Sequence, residues 1–157
     1  MIKRLPRQLP QLPPNHPTCR ILVVDDHPVN RTLLVRLLQR GGFTVKQAHN
    51  GLAAFTLWQK WQPQLILMDL LMPVVDGREA TRLIRTAEKT SHQPPTKIIA
   101  LTAESIPTFS HQAHIIGFDR IISKPIRPDI IFELIASFLD LQYIYSETNT
   151  LDSKVSE

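Results

Sequence analysis

A parallel β-sheet covered by helices on both faces is the architecture this sequence predicts. Three observations predict it. Short apolar runs alternate five times with helix-like segments of about 10 to 14 residues. Strict strand–helix alternation is the pattern of crossover units feeding a parallel sheet. Finally, the apolar runs lead into residues that are costly to bury, namely Asp25, Asp69, Thr102 and Lys124. Such residues belong at a sheet edge, where water or a counter-charge reaches them.

The elements follow in order. Arg20-Ile21-Leu22-Val23-Val24 is apolar and β-branched, and it runs into Asp25-Asp26. Pro28 can open a helix at its first turn, Leu33/Leu37 and Leu34/Leu38 give it apolar i, i+4 pairs, and Gly41-Gly42 stops it. Phe43 to Ala48 is the second strand, and Asn50 is the N-cap expected for a helix over Gly51 to Trp61 that Pro63 closes. Leu65 to Met68 is the third strand, leading to Asp69, with Met72-Pro73 and Asp76-Gly77 as loop punctuation before a helix over Gly77 to Glu88. A polar loop, Lys89 to Thr96, precedes the fourth strand, Lys97 to Thr102. Ser105 and Pro107 mark a fourth helix running to Gly117, and Asp119 to Ser123 is the fifth strand, ending in Lys124-Pro125. Pro128 to Leu139 is the fifth helix, with Ile130, Ile131, Leu134, Ile135 and Phe138 on its expected buried side.

With 157 residues, 43% of them hydrophobic and 20% charged, one soluble globular domain with a real core is expected. No apolar run approaches the ~20 residues of a membrane helix. Residues 1–20 carry positive charge but no apolar h-region, so neither a signal peptide nor direct membrane contact is expected. Cys19 is the single cysteine, which excludes an internal disulfide and fits a reducing, cytoplasmic setting. The net charge of +4 is local in origin: Lys3, Arg4, Arg7 and Arg20 are unopposed, and the rest of the chain holds fourteen basic and fourteen acidic residues. A nucleic-acid face is therefore not implied. Five of the thirteen prolines fall in residues 1–19. The expected organisation is a proline-rich basic linker over 1–19, a domain over 20–140 and a C-terminal tail over 141–157. Two formal PxxP matches in that linker are too short to outweigh a spacer, and Cys19 is assigned to it.

In an open parallel sheet, sites form outside the carboxyl ends of the strands. Asp25 and Asp26 fall there after the first strand, Asp69 after the third, Thr102 at the end of the fourth and Lys124 after the fifth. Three clustered carboxylates suit a hard divalent cation, and Mg²⁺ takes one or two carboxylates together with phosphate oxygens and water. A cation, a lysine and a hydroxyl around one carboxylate are the parts that stabilise a transferring phosphoryl group, with Asp69 as nucleophile. His111 and His114, at i, i+3, lack a matching carboxylate or cysteine and read as solvated helix residues. His27 reads as a helix-entry residue, and Trp58 and Trp61 as core and rim packing.

Asp25-Asp26, Asp69 with Met72-Pro73-x-x-Asp76-Gly77, Ala100-Leu101-Thr102-Ala103 and Lys124-Pro125 together resemble the receiver domain of two-component response regulators. The resemblance covers about residues 20 to 140, and five motifs in order at the right strand ends are specific where any one alone is weak. Asp25-Asp26-His27-Pro28-Val29-Asn30-Arg31, Gly117 to Ile126 and Tyr143-Ile144-Tyr145 look like receivers attached to bacterial hybrid sensor histidine kinases. The resemblance implies a flavodoxin-like (βα)5 fold with strand order 2-1-3-4-5. It implies that Asp69 accepts a phosphoryl group from a phosphohistidine on a histidine kinase or histidine phosphotransfer domain. It implies Mg²⁺ held directly by Asp26, Asp69 and the backbone carbonyl of Leu71, with Asp25 assisting through water. Thr102 and Lys124 would contact the phosphoryl oxygens and shift the fourth helix, fifth strand and fifth helix between two packed states. This is a switch that assists its own phosphorylation and dephosphorylation rather than a turnover enzyme. It leaves open a homodimer through the fourth and fifth helices, and either a free-standing receiver or a hybrid-kinase module.

Ile121 stands where receivers often carry Tyr or Phe, a departure from the aromatic form of the switch. Leu71, two residues past Asp69, is expected to hinder the water that hydrolyses an acyl phosphate. A flavin module would need a hydroxyl- and glycine-rich phosphate loop where Asp25-Asp26 stand, and a haloacid-dehalogenase phosphatase would need Asp-x-Asp where Asp69 is followed by Leu70-Leu71. The remaining alternative is a degenerate receiver acting as a phosphorylation-independent interaction module, against which the intact acidic pair, Asp69, Thr102 and Lys124 speak.

Overall fold

The computed structural model describes residues 9–103 and 106–145, with the backbone alone for 106–109. Five strands and five helices alternate: β1 (Arg20–Val24), α1 (Pro28–Arg40), β2 (Thr44–Ala48), α2 (Gly51–Trp61), β3 (Leu65–Asp69), α3 (Gly77–Glu88), β4 (Lys97–Thr102), α4 (Ile106–Ile116), β5 (Arg120–Ser123) and α5 (Pro128–Leu139). All strand pairs are parallel, and the sheet order is β2-β1-β3-β4-β5, the flavodoxin-like order. Ser105, expected at the start of α4, lies outside the described residues.

Side-chain parity builds two cores. Ile21, Val23, Leu65, Leu67, Ile99 and Leu101 face α1 and α5, meeting Leu34, Leu38, Ile131 and Phe132. Leu22, Val24, Ile66, Met68, Ile98 and Ala100 face the other way, meeting Ala54, Trp58, Ala80, Ile84 and Ala113 from α2, α3 and α4. Strand residues alternate faces with a period of two, so a run apolar at every position is what a sheet covered on both sides requires. Each fully buried Leu or Ile contributes roughly 1.5–3 kcal/mol, which is why β1, β3 and β4 carry the sheet.

Local chemistry sets the helix ends. Asn50 caps α2 by accepting the Ala53 N–H at 2.8 Å, and Asp76 caps α3 by accepting that of Glu79 at 2.9 Å. Gly42, at φ +91°, turns the chain out of α1 towards β2. Trp58 is buried with its indole N–H donated to Thr96 Oγ1 at 2.8 Å, whereas Trp61 sits half-buried at the rim. His111 and His114 are exposed on α4, as expected. In α5 all five residues expected inward pack on the core, Ile131 and Ile135 fully buried and Ile130, Leu134 and Phe138 half-buried, and the stripe is one residue wider than expected because Phe132 is buried too.

Residues 9–19 correct a second expectation. They are extended, but they are not a spacer outside the core: Leu12 and Cys19 are buried in the α1/α5-side cluster. Gln11 and Ile144 exchange two backbone hydrogen bonds, at 3.0 and 2.8 Å, and Leu12 N–H donates to the Gly41 carbonyl at 2.8 Å. Tyr143 closes the same region, edge-on to Phe43 and Phe132, with its hydroxyl donating to the Phe132 carbonyl at 2.7 Å. The physical reason is a gap between the ends of α1 and α5 that an apolar side chain fills, and prolines leave a chain extended without preventing it from packing. Among the described residues no helix is long and apolar enough to cross a membrane.

Leu12→Ala is expected to lower unfolding free energy by about 2 kcal/mol, the low end for a buried leucine because the site is peripheral. Urea denaturation measures it. An unchanged midpoint would mean that this segment contributes nothing to the folded state.

Candidate functional site

The sheet order reverses between β1 and β3, and the crevice at their carboxyl ends is where such sheets place ligands. Asp25 and Asp26 leave β1 there, and Asp69 ends β3. One carboxylate oxygen from each of the three lies within 4.8 Å of the others. Asp25 and Asp69 are buried, at 2% and 5% exposure, while Asp26 is exposed. Lys124, just past β5, reaches into this cluster: its Nζ lies 3.3 Å from Asp69 Oδ2 and 3.6 Å from Asp25 Oδ2. Thr102 ends β4 with 2% exposure, and its carbonyl accepts the Lys124 backbone N–H at 2.7 Å. All five sequence-predicted polar residues therefore meet at one edge of the sheet.

The loop after Asp69 is held tightly. The Leu71 backbone N–H bonds the Asp69 carboxylate, Leu70 N–H donates to the Leu101 carbonyl at 3.2 Å, and Gly77 N–H donates to the Leu70 carbonyl at 3.1 Å. A Cβ at Gly77 would collide with the Asp69 carbonyl oxygen, so only glycine lets α3 start this close to the acid. Val74, at φ +70°, is a β-branched residue in a left-handed conformation, a cost of about 1–3 kcal/mol. The Leu71 side chain stands exposed beside Asp69.

Burial pushes the Asp69 carboxyl above its ordinary value; Lys124 opposes this by charge and hydrogen bonding, and the Asp25 carboxylate adds to it. Two of the three clustered carboxylates, Asp25 and Asp69, thus share one close lysine. The donor set is entirely oxygen, it is negatively charged in excess of its lysine, and one member faces solvent. Those are the properties that suit a hard cation able to keep several waters, and Mg²⁺ fits them.

Sequence reasoning missed three features of the surroundings. The guanidinium of Arg31 donates to the Asp25 carbonyl at 2.8 Å and to Gln47 Oε1 at 2.9 Å. A groove of about 680 Å³ runs from Asp25 and Lys124 between α1 and the start of α5, lined by Leu33, Leu37 and Ile126. Val29 and Leu33 leave more than half their surface exposed beside it, at 61% and 62%. The i, i+4 spacing of Val29 and Leu33 was the available signal, but on α1 it reads equally well as a core stripe.

Comparison with known proteins gives a consistent picture. The family described as response regulator receiver domain matches residues 21–136. Hybrid signal transduction histidine kinase B of Dictyostelium discoideum is 37% identical over 130 residues, covering 77% of this chain and 7% of its own length. This chain therefore spans a small part of that curated relative. Among solved structures, the receiver domain of Ssk1 from Saccharomyces cerevisiae, crystallised with the histidine phosphotransfer protein Ypd1, superposes with a TM-score of 0.72 at 30% identity, covering 78% of this chain and 89% of the other. The receiver domain of the sensor histidine kinase PA1611 from Pseudomonas aeruginosa, with a magnesium ion in its active-site cleft, superposes at 0.68 and 28% identity, covering 79% and 99%.

The raised Asp69 value fixes a direction for stability. A carboxyl whose value is higher folded than unfolded contributes stability that is fully present below the unfolded value and is lost as pH rises through the folded one. Asp69→Asn keeps the shape and removes the charge, so it should raise the metal-free unfolding midpoint at neutral pH. The gain should shrink towards about pH 4, near the unperturbed value. Thermal melts in chelator across pH decide it, and a variant less stable than wild type at neutral pH contradicts the direction.

Proposed function

The chain belongs to the response regulator receiver domain family, and we propose that it acts in a phosphorelay by accepting a phosphoryl group from a phosphohistidine onto Asp69. The observation that carries this reading is one buried carboxylate at a strand end, 3.3 Å from Lys124 and grouped with two further carboxylates. An Asp69 oxygen attacks phosphorus, the P–N bond breaks, and the imidazole leaves with that electron pair and takes a proton from water. The product is an acyl phosphate on Asp69. Lys124 is placed to pair with a phosphoryl oxygen once the Asp69 carboxylate is esterified, and Thr102 supplies a hydroxyl on the neighbouring strand. Mg²⁺ bound by Asp26, Asp69 and the Leu71 carbonyl, with Asp25 assisting through water, would neutralise charge on the transferring group. The chain's own residues set the geometry: the Leu71 N–H and Lys124 aim the Asp69 carboxylate, and the hydrogen bond from Lys124 N–H to the Thr102 carbonyl keeps lysine and threonine together.

The phosphohistidine donor is a histidine kinase or a histidine phosphotransfer domain. Val29, Leu33 and the groove beside Lys124 offer an apolar rim next to the acidic cluster, suited to a helix that carries an apolar residue near its histidine. The output is a shift of α4, β5 and α5 driven from Thr102 and Lys124. Ile121 is half-buried against the α4-side core, so the coupling runs through aliphatic packing rather than through an aromatic ring.

Intact mass after incubation with acetyl phosphate tests the acceptor. Wild type should gain one phosphoryl group in the presence of Mg²⁺ only, and Asp69→Ala none. A Mg²⁺-independent adduct, or one retained by Asp69→Ala, places the acceptor elsewhere. No adduct in wild type, from acetyl phosphate or from a phosphorylated histidine phosphotransfer domain, favours the phosphorylation-independent interaction module.

The exposed Leu71 side chain also sets an expected lifetime, because it crowds the approach of water to the acyl phosphate. Leu71→Asn is expected to accelerate dephosphorylation by several-fold, followed as decay of the phosphorylated mass after donor removal. An unchanged rate removes Leu71 from the control of lifetime.

A further inference from the structure

Arg31 has no part in the phosphoryl chemistry, yet its guanidinium is seated on the backbone of the acidic pair. Half-buried on α1, it donates Nη1 to the Asp25 carbonyl at 2.8 Å and Nε to Gln47 Oε1 at 2.9 Å. Its own backbone N–H donates to the His27 carbonyl at 3.0 Å. The chain between these points is held again by His27 N–H donating to Asp25 Oδ1 at 2.8 Å and by Asp25 N–H donating to the Ala48 carbonyl at 3.2 Å.

Asp26 is the exposed member of the cluster, so the aim of its carboxylate depends on the two peptide planes that flank it. The plane before it is the Asp25–Asp26 peptide, whose oxygen Arg31 holds. The plane after it is the Asp26–His27 peptide, whose N–H the Asp25 side chain holds. Gln47, on the edge strand β2, accepts from Nε and so orients the guanidinium whose Nη1 meets that carbonyl.

We infer that Arg31 is a positioning residue for divalent-cation binding, clamping the Asp25–Asp26 peptide so that the Asp26 carboxylate points into the cluster. This rests on the reading of Asp25, Asp26 and Asp69 as a divalent-cation site. The sign of its effect separates it from plain electrostatics. A guanidinium beside an acidic cluster repels a dication, so as a charge alone its removal would tighten Mg²⁺ binding. As a clamp, its removal weakens binding, in the range of about 10-fold that ligand-orienting partners contribute.

The experiment is a Mg²⁺ titration of the metal-free chain followed by two-dimensional amide NMR, which reads affinity and folding in one measurement. Arg31→Ala should bind Mg²⁺ about 10-fold more weakly, with shift changes still centred on the loops after β1 and β3. Gln47→Ala, which keeps the charge but frees the guanidinium, should weaken binding in the same direction by less. Arg36→Ala removes the same charge from an exposed position of α1 and should change the affinity little. Arg31→Ala binding as tightly as wild type, or more tightly, overturns the inference. Should Arg31→Ala not fold, Gln47→Ala decides: unchanged affinity overturns the inference. A wild-type chain that shows no Mg²⁺-dependent shifts, or an Asp69→Asn variant that binds equally well, overturns instead the cation-site reading on which the clamp depends.

Discussion

Three carboxylates cluster with a single lysine beside two of them, and much of the carboxyl edge is arranged around holding them together. Sheet order makes β1 and β3 neighbours, so the acids that end them meet. Burial raises the cost of ionising Asp69, the neighbouring Asp25 carboxylate adds to it, and the Asp69 carboxyl is accordingly shifted upward. Lys124 offsets part of that cost, yet it is a flexible point charge and must be held to be useful. Its backbone is tied to β4 through the Thr102 carbonyl, which places lysine and hydroxyl in fixed relation to each other. Gly77 allows α3 to begin against the Asp69 backbone, and the guanidinium of Arg31 holds the carbonyl of Asp25. Each of these contacts restrains a chain segment that the repulsion would otherwise spread apart.

Much of this edge was legible in the sequence, for a definite reason. A carboxylate at the end of an apolar run is an energetic anomaly, and anomalies mark sites. Asp25, Asp26, Asp69, Thr102 and Lys124 each announce themselves in that way, as do Asn50 and the proline at the start of α1 and α5. What escaped was whatever acts through the backbone or depends on which gap the fold leaves. Arg31 stood inside a recognised motif, but no side-chain pattern encodes a hydrogen bond to the carbonyl of Asp25. Leu12 and Cys19 lay in a proline-rich stretch whose composition says only that it avoids regular ladders, not whether its few apolar residues find a pocket. The inward turn of Phe132 follows from Phe43 and Tyr143, which approach from two other parts of the chain.

The opposite edge of the sheet is built on a contrasting principle. There Arg85 of α3 gives all three guanidinium nitrogens to defined acceptors: the Gly117 carbonyl at 2.9 Å, Glu88 Oε2 at 2.7 Å, the Thr96 carbonyl at 2.8 Å and Asp119 Oδ2 at 2.9 Å. Asp119 Oδ2 also accepts the Ile98 N–H and Glu88 Oε1 that of Thr96, both at 2.8 Å, so opposite charges here are matched and shared with the backbone. Such a satisfied, partly buried network stabilises and specifies, because removing any one member leaves another unpaired. It joins α3, the turn after α4 and the starts of β4 and β5. Arg85 thereby fastens the turn after α4 to α3 through the Gly117 carbonyl. The unmatched negative charge of the carboxyl edge thus sits on a sheet that the matched edge, together with the packing of Leu12 and Tyr143 into the α1/α5-side core, helps to hold together.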